Sequence, residues 1–320
     1  MICAPVIIPT LCRYEHFKRC IESLSHCTNA EHTEVYVGLD YPAKETHWDG
    51  YNKIRDYLAH CGDLGFKKII VIKRDRNYGI GENGNYDTLR RFILTKYDTY
   101  ISTEDDNIFA PCFLDFMNKS LIFYKNDPKI SSVSGYLQYH IKYSSEGNGV
   151  YLTPFVTAWG MGHWKHKEMD LCQRNEFAIQ LFKSIKWRFQ IWKFSPNLYR
   201  MMCNMVFCNK MWGDVSYSIY NMHKQQYQIR PQCNLVRNNG FDNSGQNCSN
   251  SKYNDYATQQ ISSMLSYPSV QSKRDMPWHV FFFYNIGKNT FMALWRALKD
   301  LIYVINPTLL SHIYYEHKQS

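Results

Sequence analysis

Three consecutive acidic residues, Glu104-Asp105-Asp106, are the part of this chain whose residue types most directly suggest chemistry. They follow the run Tyr100 to Thr103, which predicts a strand. Adjacent carboxylates raise one another's proton affinity unless a cation neutralises them. Mg²⁺ and Mn²⁺ suit such a site because they bind one or two carboxylates and complete their coordination with phosphate oxygens and water. A solvated acidic turn is the alternative, but ligands of open α/β sheets bind where strands end, which favours a functional site.

Further charged residues follow the neighbouring predicted strands. Arg13 follows the first strand, Asp40 ends the second, and Arg74 and Arg76 come after the third. Each residue alone is more often a surface charge than a ligand. Four consecutive strands that each place a charge at one edge of a sheet suggest a site for a base, a ribose and a diphosphate.

The elements that must position these residues alternate regularly in the first half of the chain. The predicted strands are Val6–Ile8, Val35–Leu39, Lys68–Ile72 and Thr99–Thr103. The predicted helices are Tyr14–Ser25, Tyr51–His60 and Asn85–Thr95, each with apolar residues at helical spacing. This alternation predicts an α/β fold with a mostly parallel sheet flanked by helices.

The second half is less regular. It predicts helices after Pro111, at Glu176–Phe194 and at Asp214–Lys224, and strands at Ile130–Ser134 and Ile229–Val236, with an aromatic loop at Tyr151–Trp164. A C-terminal helical tail begins at about residue 261 and contains an amphipathic helix at Phe291–Val304.

The segment Gly79-Ile80-Gly81-Glu82-Asn83-Gly84 matches the dinucleotide fingerprint G-x-G-x-x-G. Its context differs, because the fingerprint requires its first glycine directly after a strand, and here Lys73 to Tyr78 intervene. We interpret it as a glycine-rich loop that leads into the third helix, with its backbone amides near phosphate. A nicotinamide site is the weaker alternative.

Charge and composition exclude several classes of protein. The 37 basic and 28 acidic residues give a net charge of +9, but no block of five like charges occurs, which argues against a nucleic-acid partner. The 11 cysteines have no framework spacing and are expected to be reduced thiols. The N-terminus lacks the pattern of a signal peptide, and no run of 18 apolar residues occurs, so we expect a cytoplasmic protein.

Several of these segments together resemble the nucleotide-sugar-dependent glycosyltransferases of the GT-A fold. The segments are Pro5-Val6-Ile7-Ile8-Pro9-Thr10-x-x-Arg13, Arg76-Asn77-Tyr78-Gly79, Thr103-Glu104-Asp105-Asp106-Asn107, Thr157-Ala158-Trp159-Gly160-Met161-Gly162 and Asn234-Leu235-Val236-x-Asn238-x-Gly240-Phe241-Asp242. The Glu-Asp-Asp form is similar to that of the N-acetylglucosaminyltransferase I group and related bacterial family 2-like enzymes. The resemblance covers roughly residues 3 to 250.

The resemblance implies a role for each matching residue. Asp106 would bind Mn²⁺ or Mg²⁺, and Asp214 in Trp212-Gly213-Asp214 would be the general base of an inverting transfer, although the intervening glycine departs from the family's Trp-Asp pattern. Asp170 and Glu168 are the next candidates for the base. The residues implied in donor binding are Arg13, Asp40, Arg76, Asn77, Glu104, Asp105, Trp159 and Gly160. Relatives often have a histidine near Asn247, which this chain lacks.

The implied organisation places donor binding in residues 1–110, acceptor binding and catalysis in residues 111–260, and the tail in residues 261–320. The implied donor is a nucleotide sugar, with UDP as its carrier, and the acceptor is a glycan or a lipid-linked sugar in surface polysaccharide synthesis. Two alternatives remain: a sugar-nucleotide pyrophosphorylase, which would carry a glycine-rich first loop, and a non-catalytic nucleotide-sugar binding module.

The tail itself has two interpretations. Residues 291, 294, 295, 298 and 302 form one apolar stripe at helical spacing. The stripe either packs on the rest of the protein or lies in a membrane interface at the inner face of the membrane, close to a lipid-linked acceptor.

Overall fold

A computed structural model describes residues 3–60, 64–138, 149–208, 212–242, 244–245, 255–271, 273–275 and 290–309. Within these residues the strands are β1 (Val6–Thr10), β2 (Glu34–Leu39), β3 (Lys68–Lys73), β4 (Thr99–Ser102), β5 (Asn107–Phe109), β6 (Ile130–Ser134), β7 (Val150–Thr153), β8 (Met161–Trp164), β9 (Tyr227–Pro231), β10 (Val236–Asn238) and β11 (Lys273–Asp275).

The helices of the described residues are α1 (Tyr14–Ser25), α2 (Trp48–His60), α3 (Asn85–Leu94), α4 (Phe113–Phe123), α5 (Leu171–Lys183), α6 (Ile185–Phe194), α7 (Pro196–Cys208), α8 (Gly213–Lys224), α9 (Asp255–Thr258) and α10 (Thr290–Ile305). All four predicted strands and three predicted helices of the first half are confirmed, and α1 has the predicted bounds. The predicted α/β class is therefore confirmed.

The main sheet of the described residues has the order β11-β7-β9-β6-β8-β4-β1-β2-β3. β1 pairs in parallel with β2 and β4, and β2 pairs in parallel with β3. β8 is antiparallel to both of its neighbours, β4 and β6. A second pair joins β10 to β5 in antiparallel register, with Asn238 opposite Asn107.

The parallel register brings the functional candidates to one edge. Thr10 at the end of β1 lies opposite Leu39 at the end of β2, and Ile7 pairs with Ser102 at the end of β4. Arg13, Asp40 and Glu104 follow directly after these three ends, as the sequence predicted.

Apolar burial explains why these segments form their elements. Residues 6 to 8 of β1 are fully buried, as expected for a strand covered on both faces. The buried face of α1 consists of Phe17, Cys20, Ile21 and Leu24, at the spacing that the sequence predicts. On the sheet, Ile7, Tyr36 and Tyr100 pack against Leu89 and Ile93 of α3.

The segment predicted as an aromatic loop, Tyr151–Trp164, contains parts of two strands, β7 and β8. Both strands have only four residues, and every residue of β8 is buried. A short strand buried on both faces shows no alternation of polar and apolar residues, so its sequence pattern does not distinguish it from a loop.

The chain divides into two compact units. The first contains Met1–Leu152, Thr157–Glu168 and Gln228–Arg274, and the second contains Thr153–Val156, Met169–Tyr227 and Asp275–Ser320. These boundaries differ from the predicted divisions at residues 110 and 260, because the helices after Glu168 form a core of their own. Val304 in α10 belongs to that core together with Tyr199 and Met202 in α7.

The apolar stripe of the predicted tail helix is exposed in the part of the chain that the structure describes. Its five residues in α10 are all exposed, whereas Asp300 and Val304 on the opposite side of the helix are buried. Residues 276–289 and 310–320 of the predicted tail lie outside the described residues. Among the helices that are described, none has the length and apolarity to cross a membrane.

Candidate functional site

The predicted acidic residues meet Arg13 at the carboxyl edge of the parallel strands. Arg13 forms an ion pair with Asp105 through Nη2 and a second with Asp106 through Nη1, at 2.8 Å from Oδ2. Thr10 donates from Oγ1 to Oδ2 of Asp105 at 2.8 Å. Asp105 and Asp106 are both buried, so one guanidinium balances two desolvated carboxylates.

Burial and charge set the protonation of these groups. Burial raises the pKa of Asp105 above its ordinary value, although the charge of Arg13 opposes the shift. Burial lowers the pKa of Arg13, but the charges of Asp105 and Asp106 outweigh burial and raise it overall. The guanidinium therefore stays charged.

Asn238 is a site residue to which the sequence assigned no role. Its Nδ2 donates to Asp106 Oδ1 at 2.8 Å and lies 3.4 Å from Glu104 Oε2. The backbone amide of Asn239 donates to the carbonyl oxygen of Asp106 at 2.9 Å. Asn238 thus ties the exposed Glu104 and the buried Asp106 to β10, which pairs with β5 directly after the acidic triplet.

Gly240 closes the site from the side of β10. A Cβ atom at this position would lie 2.0 Å from Asp106 Oδ2 and 3.2 Å from Arg13 Nη1. Its amide donates to Asn238 Oδ1 at 2.8 Å, which fixes the backbone at this close approach. Only a residue without a side chain fits against Asp106 here.

Gly240→Ala is expected to weaken nucleoside diphosphate binding about tenfold or more, a loss of roughly 1.4 kcal/mol. The added methyl group must displace the Asp106 carboxylate or the backbone that contacts it. Isothermal titration calorimetry with UDP and Mn²⁺ measures the effect. Asn239→Ala is the matched control, because it keeps the backbone bond to Asp106. Equal affinity of Gly240→Ala and wild type would contradict this role of Gly240.

Asp40 is buried and bonded to the glycine-rich loop. Its Oδ1 accepts from the backbone amides of Tyr78 and Tyr41 at 2.8 and 2.9 Å, and its Oδ2 accepts from the amide of Gly79 at 2.9 Å. Asn77 donates to the carbonyl oxygen of Tyr41 at 2.6 Å and lies 3.4 Å from Asp40 Oδ2.

These bonds bear on the predicted phosphate contact of the loop. Because the amides of Tyr78 and Gly79 donate to a carboxylate, they are directed at Asp40. Gly79 and Gly81 have φ values of 62° and 108°, which the turn requires and which favour glycine. The loop is thus anchored by Asp40, and the nucleoside contact predicted for Asp40 remains a prediction.

Arg76 differs from Arg74 in its exposure. Arg74 donates to Asn85 Oδ1 at 3.0 Å and to Thr88 Oγ1 at 2.7 Å, so it binds the start of α3. Arg76 is exposed and lies over the Tyr78 ring at 5.5 Å. Its predicted donor contact is compatible with that exposure.

Trp159 is half-buried in a cluster of aromatic rings. Its ring lies 4.7 Å from that of Tyr136, 5.4 Å from that of Tyr256 and 5.9 Å from that of Phe241. Phe241 directly follows Gly240, so the cluster is continuous in sequence with the acidic site. Aromatic faces of this kind pack against the apolar face of a sugar.

Gly160 has a packing role in this part of the first unit. Its φ is 57°, and a Cβ atom would lie 2.8 Å from the Phe113 ring and 2.9 Å from Val236. Its carbonyl oxygen accepts from the amide of Gly135 at 3.0 Å. A donor contact of Gly160 remains a prediction.

Asp214, the predicted base, lies in the second unit, whereas the acidic triplet lies in the first. It is exposed in the first turn of α8, where its Oδ1 accepts from the amide of Val215 at 2.9 Å. Desolvation by the surrounding protein atoms raises the pKa of Asp214 above its ordinary value, although bonds from the backbone amides of Val215 and Asp214 oppose the shift. Its catalytic role remains a prediction.

Glu168 is a half-buried residue whose carboxylate is part of a structural charge network, although the sequence left it open as a substitute base. It accepts from Tyr100 at 2.5 Å and from Arg90 at 2.6 Å, and it pairs with His163 Nδ1 at 3.0 Å. His163 also bonds to Ser102 at 2.9 Å and stacks on Tyr100 at 4.4 Å. Burial raises the pKa of Glu168, but bonding to His163 and the nearby charges outweigh burial and lower it to about 2.

Glu168→Gln is expected to lower the free energy of unfolding at pH 7 by about 3 kcal/mol, because Arg90 and His163 both lose an ion-pair partner, although Arg90 keeps Asp87 at 2.8 Å. Since the pKa of Glu168 falls from 4.5 to about 2 on folding, this stabilisation is complete above pH 4.5 and is lost as the pH falls towards 2. Urea denaturation at several pH values measures it. Glu31→Gln, at an exposed position, should stay within about 0.5 kcal/mol of wild type. If the difference in the free energy of unfolding between Glu168→Gln and wild type does not change with pH, the stabilisation does not come from the lowered pKa of Glu168.

The acidic site fits a divalent cation that a substrate phosphate completes. Asp106 and Glu104 both approach Asn238 Nδ2, so their carboxylates converge. Arg13 pairs with both Asp105 and Asp106, and Thr10 also bonds to Asp105. Mg²⁺ and Mn²⁺ are commonly held by one or two carboxylates together with phosphates. In the part of the chain that the structure describes, no cluster of three or more acidic, histidine or cysteine side chains has the arrangement of a metal site.

Comparison with known proteins gives likenesses of structure only. No family model and no curated protein matches the sequence. A mannosyltransferase from Pyrobaculum calidifontis, solved with GDP-Man and Mn²⁺, is 14% identical over 53% of this chain and 46% of its own, with a TM-score of 0.35. TarS 1-349 from S. aureus, solved with UDP-GlcNAc, is 12% identical over 54% of this chain and 47% of its own, with a TM-score of 0.33.

A third similar structure is the glycosyltransferase GlyE of Streptococcus pneumoniae TIGR4. It is 13% identical over 72% of this chain and 45% of its own, with a TM-score of 0.34. The chain thus spans less than half the length of each of these three proteins. At these scores we draw no conclusion about activity from the likenesses.

Proposed function

We propose that this chain is a nucleotide-sugar-dependent glycosyltransferase that moves a sugar from a nucleoside diphosphate, with UDP as the carrier, to an acceptor hydroxyl. The observation that carries the proposal is the convergence of Arg13, Asp105, Asp106 and Asn238 at the carboxyl edge of β1 and β4. This edge is where open α/β sheets bind nucleotides. The sequence resemblance to GT-A enzymes also supports a nucleotide-sugar site, with donor binding in residues 1–110.

The site residues have complementary roles towards a nucleoside diphosphate. Asp106 and Glu104 would hold Mn²⁺ or Mg²⁺, which neutralises the charge that develops on the departing diphosphate. Each terminal nitrogen of Arg13 carries two hydrogens, and each uses one in an ion pair with a carboxylate. The second hydrogen of each nitrogen can be donated to a phosphate oxygen of the nucleotide. Asp105 and Thr10 hold the guanidinium in place.

The sugar and the acceptor need groups of a different kind. Trp159 and Phe241 offer aromatic faces directly beyond Gly240, where the transferred sugar would lie. As the acceptor oxygen attacks the anomeric carbon and the bond to the diphosphate breaks, a carboxylate must take the hydroxyl proton. We assign this proton transfer to Asp214, with inversion at the anomeric carbon.

The acceptor that we propose is a glycan or a lipid-linked sugar used in surface polysaccharide synthesis at the inner face of the membrane. The pyrophosphorylase alternative is less well supported, because Leu11 to Arg13 lead directly into α1 with no glycine between β1 and the helix. A glycine-rich first loop is what such an enzyme would need to surround phosphates.

The proposed function is tested by a thermal-shift screen of UDP-, GDP- and dTDP-sugars, each with and without Mn²⁺. We expect UDP-sugars to raise the unfolding temperature, and the effect to depend on Mn²⁺, because a ligand that binds only the folded state stabilises it. Released UDP, measured with the stabilising donor and a glycan acceptor, then reports turnover. No stabilisation by any nucleotide sugar would contradict the proposal.

A further inference from the structure

Helix α10 in the second unit presents a continuous apolar stripe to solvent. Its exposed members are Phe291, Leu294, Trp295, Leu298, Ile302 and Ile305, and Leu309 continues the same spacing beyond the helix. They recur three or four residues apart, so they occupy one side of the helix. Phe291 is 80% exposed and Ile305 is 69% exposed, values that are costly for side chains of this size in water.

The opposite side of α10 is bonded to its own unit. Trp192 in α6 donates to the carbonyl oxygen of Ala297 at 3.0 Å, and Arg188 donates to that of Val304 at 2.7 Å. In α7, Arg200 pairs with the buried Asp300 at 2.7 Å. These bonds fix the rotation of the helix about its axis: Ala297, Asp300 and Val304 lie towards α6 and α7, and the stripe lies on the side exposed to solvent.

Exposed cations accompany the stripe. Lys299 is exposed on α10, and Lys186 and Lys193 are exposed on α6, beside the exposed Phe189. The sequences of α6 and α10 contain a single acidic residue, Asp300, and Arg200 neutralises it. In the described residues, α10 and its neighbour α6 thus expose large apolar side chains together with lysines whose charge no acidic residue of these two helices balances.

We infer that the stripe of α10 docks on an anionic lipid surface, with Phe189 of α6 and the flanking lysines beside it. Interfacial helices have an apolar side that enters the boundary of the lipid chains and lysines that attract anionic headgroups. A second copy of this chain would bring the same lysines together and repel itself, so the charge favours lipid over self-association. The inference rests on the second unit alone and does not depend on the proposed reaction.

Vesicle co-sedimentation of the full chain tests the inference. Removal of α10 is unsuitable, because Val304 belongs to the core of the second unit. We expect the wild type to pellet with phosphatidylglycerol vesicles at low salt, and to stay in the supernatant with phosphatidylcholine vesicles or at high salt. Trp295→Glu/Leu298→Glu should reduce binding at least tenfold, and Lys186→Glu/Lys193→Glu should also weaken it.

The matched control places the same two charges at exposed apolar positions of the first unit, Ile122→Glu/Leu265→Glu. It should bind as the wild type does, and circular dichroism should show all variants folded. Absence of binding to phosphatidylglycerol, equal binding to both lipids, or unchanged binding of the stripe variant would overturn the inference. If the wild type is a dimer and Trp295→Glu/Leu298→Glu is a monomer, the stripe binds a second copy of the chain. That result would also overturn the inference.

Discussion

Asp106→Asn is expected to reduce sugar transfer roughly 10²- to 10³-fold, the range seen when one preorganised group for a developing charge is removed. It should also abolish the Mn²⁺-dependent part of nucleotide binding. Asparagine matches aspartate in size, and its oxygen can still accept from Asn238 Nδ2, but its amide nitrogen then faces Arg13 Nη1 in place of an accepting oxygen. Circular dichroism and urea denaturation of the variant separate the loss of metal binding from a loss of stability.

The measurements are steady-state turnover and calorimetry of UDP binding with and without Mn²⁺. Asp242→Asn is the control, because Asp242 is an acidic residue of the same unit that bonds to His16 and Ser244 outside the acidic site. Asp106→Ala should lose transfer completely. If Asp106→Asn keeps the full response of UDP affinity to Mn²⁺, Asp106 is not the metal ligand.

Asp214→Asn is expected to reduce turnover by about 10²-fold or more, as the loss of a general base does, while nucleotide-sugar affinity stays within a few-fold of wild type. The side chain is exposed, and an asparagine oxygen can still accept from the amide of Val215, so stability should change little. Initial rates at saturating donor and calorimetry of donor binding separate the two effects.

Asp170→Asn is the matched comparison for this variant. Asp170 also lies at a helix N-terminus in the second unit, where it accepts from the amide of Cys172 at 2.9 Å. It is the other acid that the sequence left open as a base. Near-normal turnover of Asp214→Asn together with a large loss in Asp170→Asn would transfer the role to Asp170.

The first half of the fold could be predicted because its sequence signals are local. Strand β1 begins with the apolar run Val6–Ile8, and α1 shows its buried residues at helical spacing. The parallel connection of such elements then places Arg13, Asp40 and Glu104 at one edge, because carboxyl ends of parallel strands meet there. The acidic site was found in this way without any knowledge of side-chain contacts.

The remaining site residues depend on contacts that sequence patterns do not show. Asn238 reaches Asp106 across 132 residues through a pair of three-residue strands, β5 and β10. Strands that short have no periodicity to detect. The signal that was available is the segment Asn238-x-Gly240, since a glycine beside polar residues indicates a close approach of backbone.

The bonding of Asp40 to the glycine-rich loop was not foreseen for a similar reason. The amides of the loop donate to the carboxylate of Asp40, which follows β2. Asp40 lies 38 residues before Tyr78 in the chain. A glycine pattern indicates which backbone conformations are accessible, but not which acceptor the amides find. The second unit likewise forms from helices α5 to α8 and α10, whose packing joins segments about 100 residues apart.

The most direct test of the proposed function is calorimetry of UDP binding to the wild-type protein with and without Mn²⁺. The arrangement of Asp106, Glu104 and Arg13 predicts that Mn²⁺ raises the affinity for UDP at least about tenfold, because the cation joins the carboxylates to the diphosphate. Equal affinity with and without Mn²⁺ would contradict the proposed metal-diphosphate site.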